Sequence, residues 1–471
     1  MFSRIFTNRL FITICSASII LVGTYVAIQF AKGYRPTKNG NITSTGLLSA
    51  NSFPNGAQMY LNGKLATATD TTLNLEPGSY TVEIKKDGYT PWKKQLTITK
   101  ELVTQTNAFL FPTAPSLTPI TYTGASNVTP SPDGQKIVYY TASASSQVKN
   151  GLYVVELSDN VFSLQKGTRQ ISQEVRGFDL SKAKLLWSPD ASQILVSYDG
   201  KNVIVDPTKM NPLNELPDVS YKLPQTFSEW EEDLYKRERA RLAKFPEEIQ
   251  RIATESAQNV YFSPDDERVL YTATQSAFLP DAIVPEVPAA STQPQERTLV
   301  PGGIYVYDHK EDRNFRIGTE NIVLLPTPVQ KNTKKKSTVK TPTQFSYPRG
   351  KISLAVDLYT SKVKTLVTSP LEFKKLQANM YAETIENFHK YYSGVYTHGL
   401  QWLPDSKHLL GIRDDIAFVK EYDGMNETVL YSGSLSEQFV YPWPNGSKLI
   451  ILTRINQASD NPTNLYAISL K

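Results

Sequence analysis

Cysteine is nearly absent from this chain: Cys15 is the only one, and it lies in an apolar run near the N-terminus. No intrachain disulfide is possible, and redox chemistry says nothing about the compartment. Histidine is also scarce. His309, His389, His398 and His408 are scattered without ligand-like spacing, which argues against a histidine-rich metal site. No Gly-x-Ser-x-Gly elbow is present; Gly433-Ser434-Leu435-Ser436-Glu437 comes nearest and lacks the second glycine. There is no Walker loop, no His-Glu-x-x-His and no Cys-x-x-Cys pair. A large excess of one charge is missing too. Lys and Arg total 50 against 45 Asp and Glu, and Arg4 and Arg9 supply two of the five net positives. The rest is close to neutral, which argues against a nucleic-acid footprint. These absences leave no candidate catalytic, cofactor-binding or metal-ligating residue. The expectation is a protein that is not an enzyme, with binding residues that the sequence does not identify.

What is present is aromatic and β-rich. The 471 residues suggest two or three domains, and 26 Tyr with 19 Phe and 5 Trp favour strands. Residues 10–31 carry no charge. About 20 apolar residues span a bilayer as a helix, so the run reads as a single membrane anchor, with 1–9 as a cytoplasmic tail. A cleaved signal peptide is the alternative, but the apolar core is long and no small-x-small site follows it. Flanking positives number two before (Arg4, Arg9) and three after (Lys32, Arg35, Lys38), so charge alone does not set the orientation. A short N-terminal tail and a large β-rich body suggest an extracytoplasmic body. Residues 32–45, polar and rich in Gly, Asn, Ser and Thr, read as a spacer.

Residues 46–112 form a small β-domain. Gly56–Leu61 is a strand and Asn62-Gly63 a hairpin turn. Leu73–Leu75 runs into a turn at Glu76-Pro77-Gly78, and Tyr80–Lys85 alternates as a half-buried strand does. Asp87-Gly88-Tyr89 turns the chain, Trp92, Leu96 and Ile98 alternate after it, and a last strand lies near Thr106–Phe111. The Pro-Gly-x-Tyr-x-Val-x-Ile run, the Asp-Gly-Tyr turn and the Asn-Gly hairpin resemble a PEGA domain, although Glu76-Pro77-Gly78-Ser79 departs from the name-giving letters at its third and fourth positions. That resemblance implies a surface-binding role in a bacterial envelope. Tyr89 and Trp92 could stack on a sugar; packing in the small core is the preferred reading.

After a proline-rich linker at 112–119, one phrase recurs. Ser131-Pro132-Asp133-Gly134, Ser188-Pro189-Asp190-Ala191, Ser263-Pro264-Asp265-Asp266, Leu403-Pro404-Asp405-Ser406 and Trp443-Pro444-Asn445-Gly446 each precede an apolar strand. Tyr347-Pro348-Arg349-Gly350 is a weaker sixth copy. Ser first, Pro second and Gly fourth suit a type I turn, so each copy is a hairpin. Hairpins repeated in this way bury their faces by stacking. The aspartates are explained by the turn, through Asx bonds at the bend, and not by a metal ring. The phrase resembles the β-propeller repeat of TolB-like and WD-repeat-like families over residues 113–471, which implies about six blades. A strand at Ile120–Thr123 is expected to complete the final blade, closing the ring against residues 464–470.

Three insertions interrupt the repeats. Ser228–Gln258 reads as helical, with Ser228 as N-cap and Glu231 completing a capping box. Trp230, Leu234 and Leu242 share one face, Pro246 breaks the segment, and the charged face of Arg237, Glu238, Arg239 and Arg241 is expected to be solvated. Phe278–Pro301 reads as a mobile loop. Gln330–Pro342, with five lysines, reads as a disordered loop, and a further helix is expected over Leu371–Tyr391.

The function expected is binding or scaffolding at the envelope, without catalysis or a cofactor. The partners expected are envelope proteins or cell-wall polymer, with the membrane reached through the single helix. The alternative is a carbohydrate-processing enzyme or lectin with paired acids in the propeller funnel, about 5–10 Å apart. An assembly factor for another membrane protein is a third reading.

Overall fold

The computed structural model describes residues 2–31, 34–36, 42–158, 167–285, 287, 291–320, 381–389, 391–392, 399–455 and 462–471. The chain is mainly β and divides into two units, Met1–Pro112 with Glu286–Pro294, and Thr113–Pro285 with Gln295–Lys471.

The first unit opens with helix α1, Phe2–Ala31, which starts eight residues before the apolar run itself. Within it, Phe11–Phe30 has a mean hydropathy of 2.2 and buries none of its residues. The segment read as a spacer contains a short antiparallel ladder, Tyr34–Pro36 with Ile42–Ser44.

Beyond it lies a β-sandwich. One sheet is antiparallel, in the order Lys64–Ala68, Gln58–Leu61, Gly78–Lys85, Trp92–Ile98. The other orders Val103–Gln105, Gly46–Ala50 and Thr71–Leu75, and its first pair is parallel. Strict alternation along Trp92–Ile98 sends Trp92, Leu96 and Ile98 inward, where they meet Leu48, Met59, Val82 and Ile84. The Asn62-Gly63 turn has φ of 49° and 80° at its two positions, the requirement of a type I′ hairpin. Trp92–Ile98 is an edge strand, and exposed edges need cover. Here Thr292 Oγ1 accepts from Thr97 N at 3.1 Å, and Gln293 Nε2 donates to Gln95 O at 2.8 Å.

The second unit contains, among the described residues, five sheets of three or four strands and one two-stranded ladder. Blade 1 is Ser126–Pro130, Lys136–Thr141, Gly151–Glu156 and Thr168–Gln173. Blade 2 has three strands, Lys184–Trp187, Ile194–Tyr198 and Lys201–Val205. Blade 3 is Ala257–Phe262, Arg268–Ala273, Gly303–Asp308 and Arg313–Thr319. Blade 4 is Leu400–Trp402, His408–Arg413, Ile416–Glu421 and Thr428–Ser432. Blade 5 is Val440–Pro442, Lys448–Thr453 and Asn464–Ser469, completed by Leu117–Pro119. All are antiparallel meanders.

Their faces explain the unbroken apolar runs. Ile137 and Tyr139 pack with Ile450, Leu452 and Leu465 of blade 5. Val138 and Tyr140, pointing the other way, pack with Leu185, Trp187 and Val196 of blade 2. Blades 3 and 4 share Tyr261, Leu270, Val306, Trp402 and Leu409. Blades 4 and 5 meet where Tyr431 Oη lies 2.9 Å from Thr453 Oγ1. Strands buried on both faces lose the polar alternation of a half-exposed sheet. Blades 1 and 2, 3 and 4, and 5 and 1 thus stack face to face, as in a β-propeller, while blades 2 and 3 each turn a face to helical residues. The weaker repeat at Tyr347–Gly350 and the lysine segment at 330–342 lie outside the described residues.

Closure happens as expected, but with a different strand. Leu117–Pro119 pairs with Ile468, Ala467 and Tyr466, three residues upstream of the expected Ile120–Thr123. The strand had been hidden inside the proline-rich linker. It lies on an outer edge, where a proline without N–H is tolerated. Tyr122 is exposed and takes no part in the ladder.

Between blades 2 and 3 lies a helical wedge. Helix α2, Leu223–Leu242, begins five residues before the expected Ser228 cap. Pro224 sits in its first turn, where φ is preset and the missing N–H is not needed. Ser228 is therefore interior and forms no cap. Leu223, Phe227, Trp230 and Leu234 cover the Leu186 and Leu195 face of blade 2, together with Tyr381, Ile385 and Phe388 from a helical segment over 381–389. That segment falls inside the expected Leu371–Tyr391 helix, whose residues 371–380 lie outside the described ones. Leu242, Phe245 and Ile249, from the end of α2 and from helix α3 (Glu247–Arg251), cover blade 3 with Val260 and Phe262. In the loop expected to be mobile, the two ends pair as Ala277–Phe278 with Thr298–Leu299. Leu279 and Leu299 are buried, and Arg297 holds Pro280 O and the Asp312 carboxylate.

Candidate functional site

The repeated turn is built from its own side chains. Ser131 Oγ donates to Asp133 Oδ1 at 2.5 Å and accepts from Lys136 N at 2.9 Å, while Gln135 N donates to Asp133. Ser188 with Asp190, and Ser263 with Asp265, repeat this arrangement. In blade 4, Asp405 accepts from Lys407 N and from His408 N, and His408 Nδ1 lies 2.5 Å from its second oxygen. The fourth turn residue is left-handed in all five copies: φ is 73° at Gly134, 56° at Ala191, 59° at Asp266, 59° at Ser406 and 67° at Gly446. The aspartates are thus local to the bends, as the turn chemistry implies.

The charged face of α2 is only partly solvated: Arg237 and Arg239 are exposed as expected, but Glu238 is buried and Arg241 is half-buried. Arg237 donates to Pro189 O in the turn of blade 2. Arg241 binds Asp266 at 2.6 Å and Ser263 O at 2.9 Å in the turn of blade 3, and Lys244 joins at 2.7 Å. Burial works against ionised Asp266, but Lys244 and Arg241 outweigh it and hold the carboxyl below its usual range. The helix therefore straps two consecutive turns. Tyr89 and Trp92 follow the core reading: Trp92 is buried, and Tyr89 packs against the same cluster.

A cavity of about 190 Å³ opens where the first strands of blades 1, 2 and 5 converge, which places it at the hub of the ring. Its walls are Val128, Pro130, Leu185, Tyr392 and Tyr441, with Lys184, His389 and Glu437 as titratable members. Blade 1 contributes through a bulge. The ladder slips between Ser126 and Thr129, and Asn127 takes φ 51°. A bulge leaves backbone N–H groups without ladder partners. Glu437 takes both: Oε1 accepts from Asn127 N at 2.8 Å and Oε2 from Val128 N at 3.1 Å. Asn127 Nδ2 reaches Leu180 O and Ala183 O at the entry to blade 2. Glu437 and Gln438 are both left-handed, with φ 55° and 48°. Such strain in adjacent non-glycine residues gathers at functional sites.

The helical segment closes another side. His389 Nε2 lies 2.6 Å from Leu185 O, and Tyr392 Oη donates to Trp187 O at 3.1 Å. Burial pushes the His389 pKa down, so the ring is neutral near pH 7 and Nε2 carries the proton. Burial raises the phenols of Tyr392 and Tyr441. Glu437 is the only carboxylate among the lining residues, so the paired acids of a glycosidase funnel are not assembled here. The arrangement is suited to recognition: aromatic and apolar walls, one cation, one anion and a neutral imidazole.

Sequence reasoning singled out none of Asn127, Lys184, His389 and Glu437 as a cavity residue. One signal was present. Asn127-Val128 and Asn259-Val260 stand at the same distance before Ser-Pro-Asp, and Asn259 is also left-handed beside a register slip. Glu437 and Lys184 carry no such mark, because only ring closure brings them to one cavity.

Residues 45–113 match the PEGA domain family. No curated protein matches the chain. Among solved structures, a putative TolB from Agrobacterium tumefaciens aligns at 10% identity and TM-score 0.21, covering 75% of this chain and 83% of that one. TolB from Acinetobacter baumannii aligns at 12% and 0.20, covering 83% and 60%. An oligogalacturonate lyase from Vibrio parahaemolyticus aligns at 8% and 0.22, covering 83% and 86%. Scores this low add nothing to what the sheet order already shows.

Proposed function

We propose that this is a membrane-anchored envelope protein that binds or scaffolds other envelope components and performs no chemistry of its own. One observation carries the anchoring. Phe11–Phe30 forms a helix long enough to cross a bilayer, and Phe11, Ile19, Leu21 and Tyr25 are each more than 60% exposed. In water that stripe would be costly; in lipid it is satisfied. The binding role is supported by the PEGA match at 45–113 and by a hub cavity lined by aromatic, amide and backbone groups around a single carboxylate. The body lies outside the cytoplasm in this reading.

The test begins with membrane fractions of cells expressing the full chain. Retention after an alkaline wash, with an intact N-terminus by sequencing, is the expected result. Release into the soluble fraction with the first thirty or so residues removed would replace the anchor by a signal sequence. Detergent-solubilised full chain is then mixed with insoluble cell wall and, separately, with membrane extract. Cosedimentation with wall, or reproducible capture of one envelope protein, is expected. Failure of both would overturn the scaffold role.

A further inference from the structure

Two opposite charges line the hub cavity, and among the described residues neither is spent on an ion pair. Among the described residues, Lys184 has no carboxylate partner and Glu437 has no cationic one, although both face a space of about 190 Å³. Opposite charges that stand around a cavity without meeting leave room for something between them. Glu437 is fixed in place: two backbone N–H bonds hold its carboxylate, and two consecutive left-handed residues present it. A carboxylate has about four acceptor positions, so two bonds leave capacity for a further donor.

The cavity also limits the ligand. An apolar void of about 150 Å³ accommodates benzene, so this one suits a small molecule with a modest apolar part. Drug-sized ligands occupy roughly 300 Å³ or more. The remaining wall, Leu185, Pro130, Tyr392 and Tyr441, matches such a part. Charge balance narrows the choice. A simple anion would meet Glu437, and a simple cation would meet Lys184. Only a molecule that carries both charges on a short frame satisfies each.

We propose that the hub cavity binds a small zwitterion, an α-amino acid with an apolar side chain, its ammonium on Glu437 and its carboxylate on Lys184. This deepens the binding role proposed above and rests on it, but it is tested separately. The test uses detergent-solubilised full chain, with melting temperature and calorimetric titration as readouts. L-leucine and L-phenylalanine are compared with L-leucinamide, which lacks the carboxylate, and N-acetyl-L-leucine, which lacks the ammonium. Binding of the free amino acids is expected, weakened about tenfold by either block, as loss of one charge-assisted contact implies.

Lys184→Met should weaken leucine about tenfold and leave leucinamide unchanged, since only leucine uses the lysine. Lys184 is exposed, so this substitution removes no core packing. Glu437→Gln, which keeps one of the two acceptors that hold the bulge, should weaken leucine and leave N-acetylleucine unchanged. No response to either amino acid at about 20 mM, well above a millimolar Kd, would overturn the assignment, as would equal binding of the blocked forms. Wall or partner capture would then stand untouched. Amino-acid binding without any capture would have the reverse meaning.

Discussion

The most exacting residue-scale feature is a buried charge pair on adjacent strands of blade 3, at the face that meets blade 4. Arg268 Nε lies 2.7 Å from Asp308, which is fully buried; Arg268 also donates to Ser406 O at 3.1 Å and stacks 4.3 Å from the Tyr422 ring centroid. Removing one member of such a pair leaves the other charged and dry. Arg268→Met should therefore destabilise the protein by about 3–5 kcal/mol, and Arg268→Met with Asp308→Asn should recover part of that loss. Denaturant unfolding of the single and double variants checks it; additive losses would show that the pair is not coupled. The turn carboxylates give a pH prediction. Burial disfavours ionised Asp190, Asp266 and Asp405, yet their pKa values lie below the usual one. The Ser188 and Ser192 bonds do this for Asp190, Lys244 and Arg241 for Asp266, and His408 for Asp405. A group depressed in the fold contributes its stability above the unfolded pKa, about 3.9 for Asp, and loses it as pH falls through the folded value. Stability should fall steeply below about pH 4, and Asp266→Asn should flatten that fall while lowering stability at pH 7. A melting series from pH 2.5 to 7 would show an unchanged slope if the argument is wrong. Residues of this kind were legible in advance only where the chemistry is local. Ser131 and Asp133 bond within five residues, so their role can be read from four letters. Arg268 and Asp308 sit on different strands, and nothing in either neighbourhood marks the pair.

At the element scale, the ring is held shut by a three-residue strand and the hydroxyl beside it. Thr121 Oγ1 lies 3.0 Å from Asn464 Oδ1 and accepts from Leu465 N at 2.9 Å, in a site only 3% exposed. Thr121→Val keeps the shape but takes the acceptor from buried Leu465 N and one donor from Asn464 Oδ1, which keeps its bond from Gly124 N, so a loss of about 1–3 kcal/mol is expected. Hydrogen exchange should localise the loosening to 464–469; protection there equal to the parent would refute the closure role. The hairpins of every blade were readable because turn preference and strand pattern coincide. The closing strand was not, because Leu117–Pro119 looks like linker: an edge strand tolerates the proline that argues against a central one. The start of α2 was missed for a related reason. Ser228 and Glu231 imitate a capping box, but Pro224 begins the helix earlier, and Leu223 and Phe227 have core to cover. The charged face of α2 was expected in solvent because helical spacing cannot reveal that two turns, from blades 2 and 3, stand ready to accept its arginines.

At the scale of the whole molecule, the division into apolar helix, small β-sandwich and ring of sheets is written in composition and repeat, and the structure shows each. The hub cavity is not so written. It needs Asn127 beside Glu437, 310 positions apart in sequence, and no local pattern encodes such a meeting. The same distance has a temporal meaning. Thr118 bonds to Ala467, 349 residues later. A ribosome adding about 5–20 residues per second needs roughly 20–70 s to cover that interval. Throughout that time the strand at 117–119 has no partner, and blade 1 lacks the neighbour that covers Ile137 and Tyr139. Closure of the ring therefore waits until residues 464–469 have been made. Cutting the gene before Asn464 should yield protein that is made at a normal rate but degraded quickly, and pulse-chase labelling would measure it. A truncated chain as long-lived as the parent would mean that the earlier blades can stand as an open arc, waiting for no one.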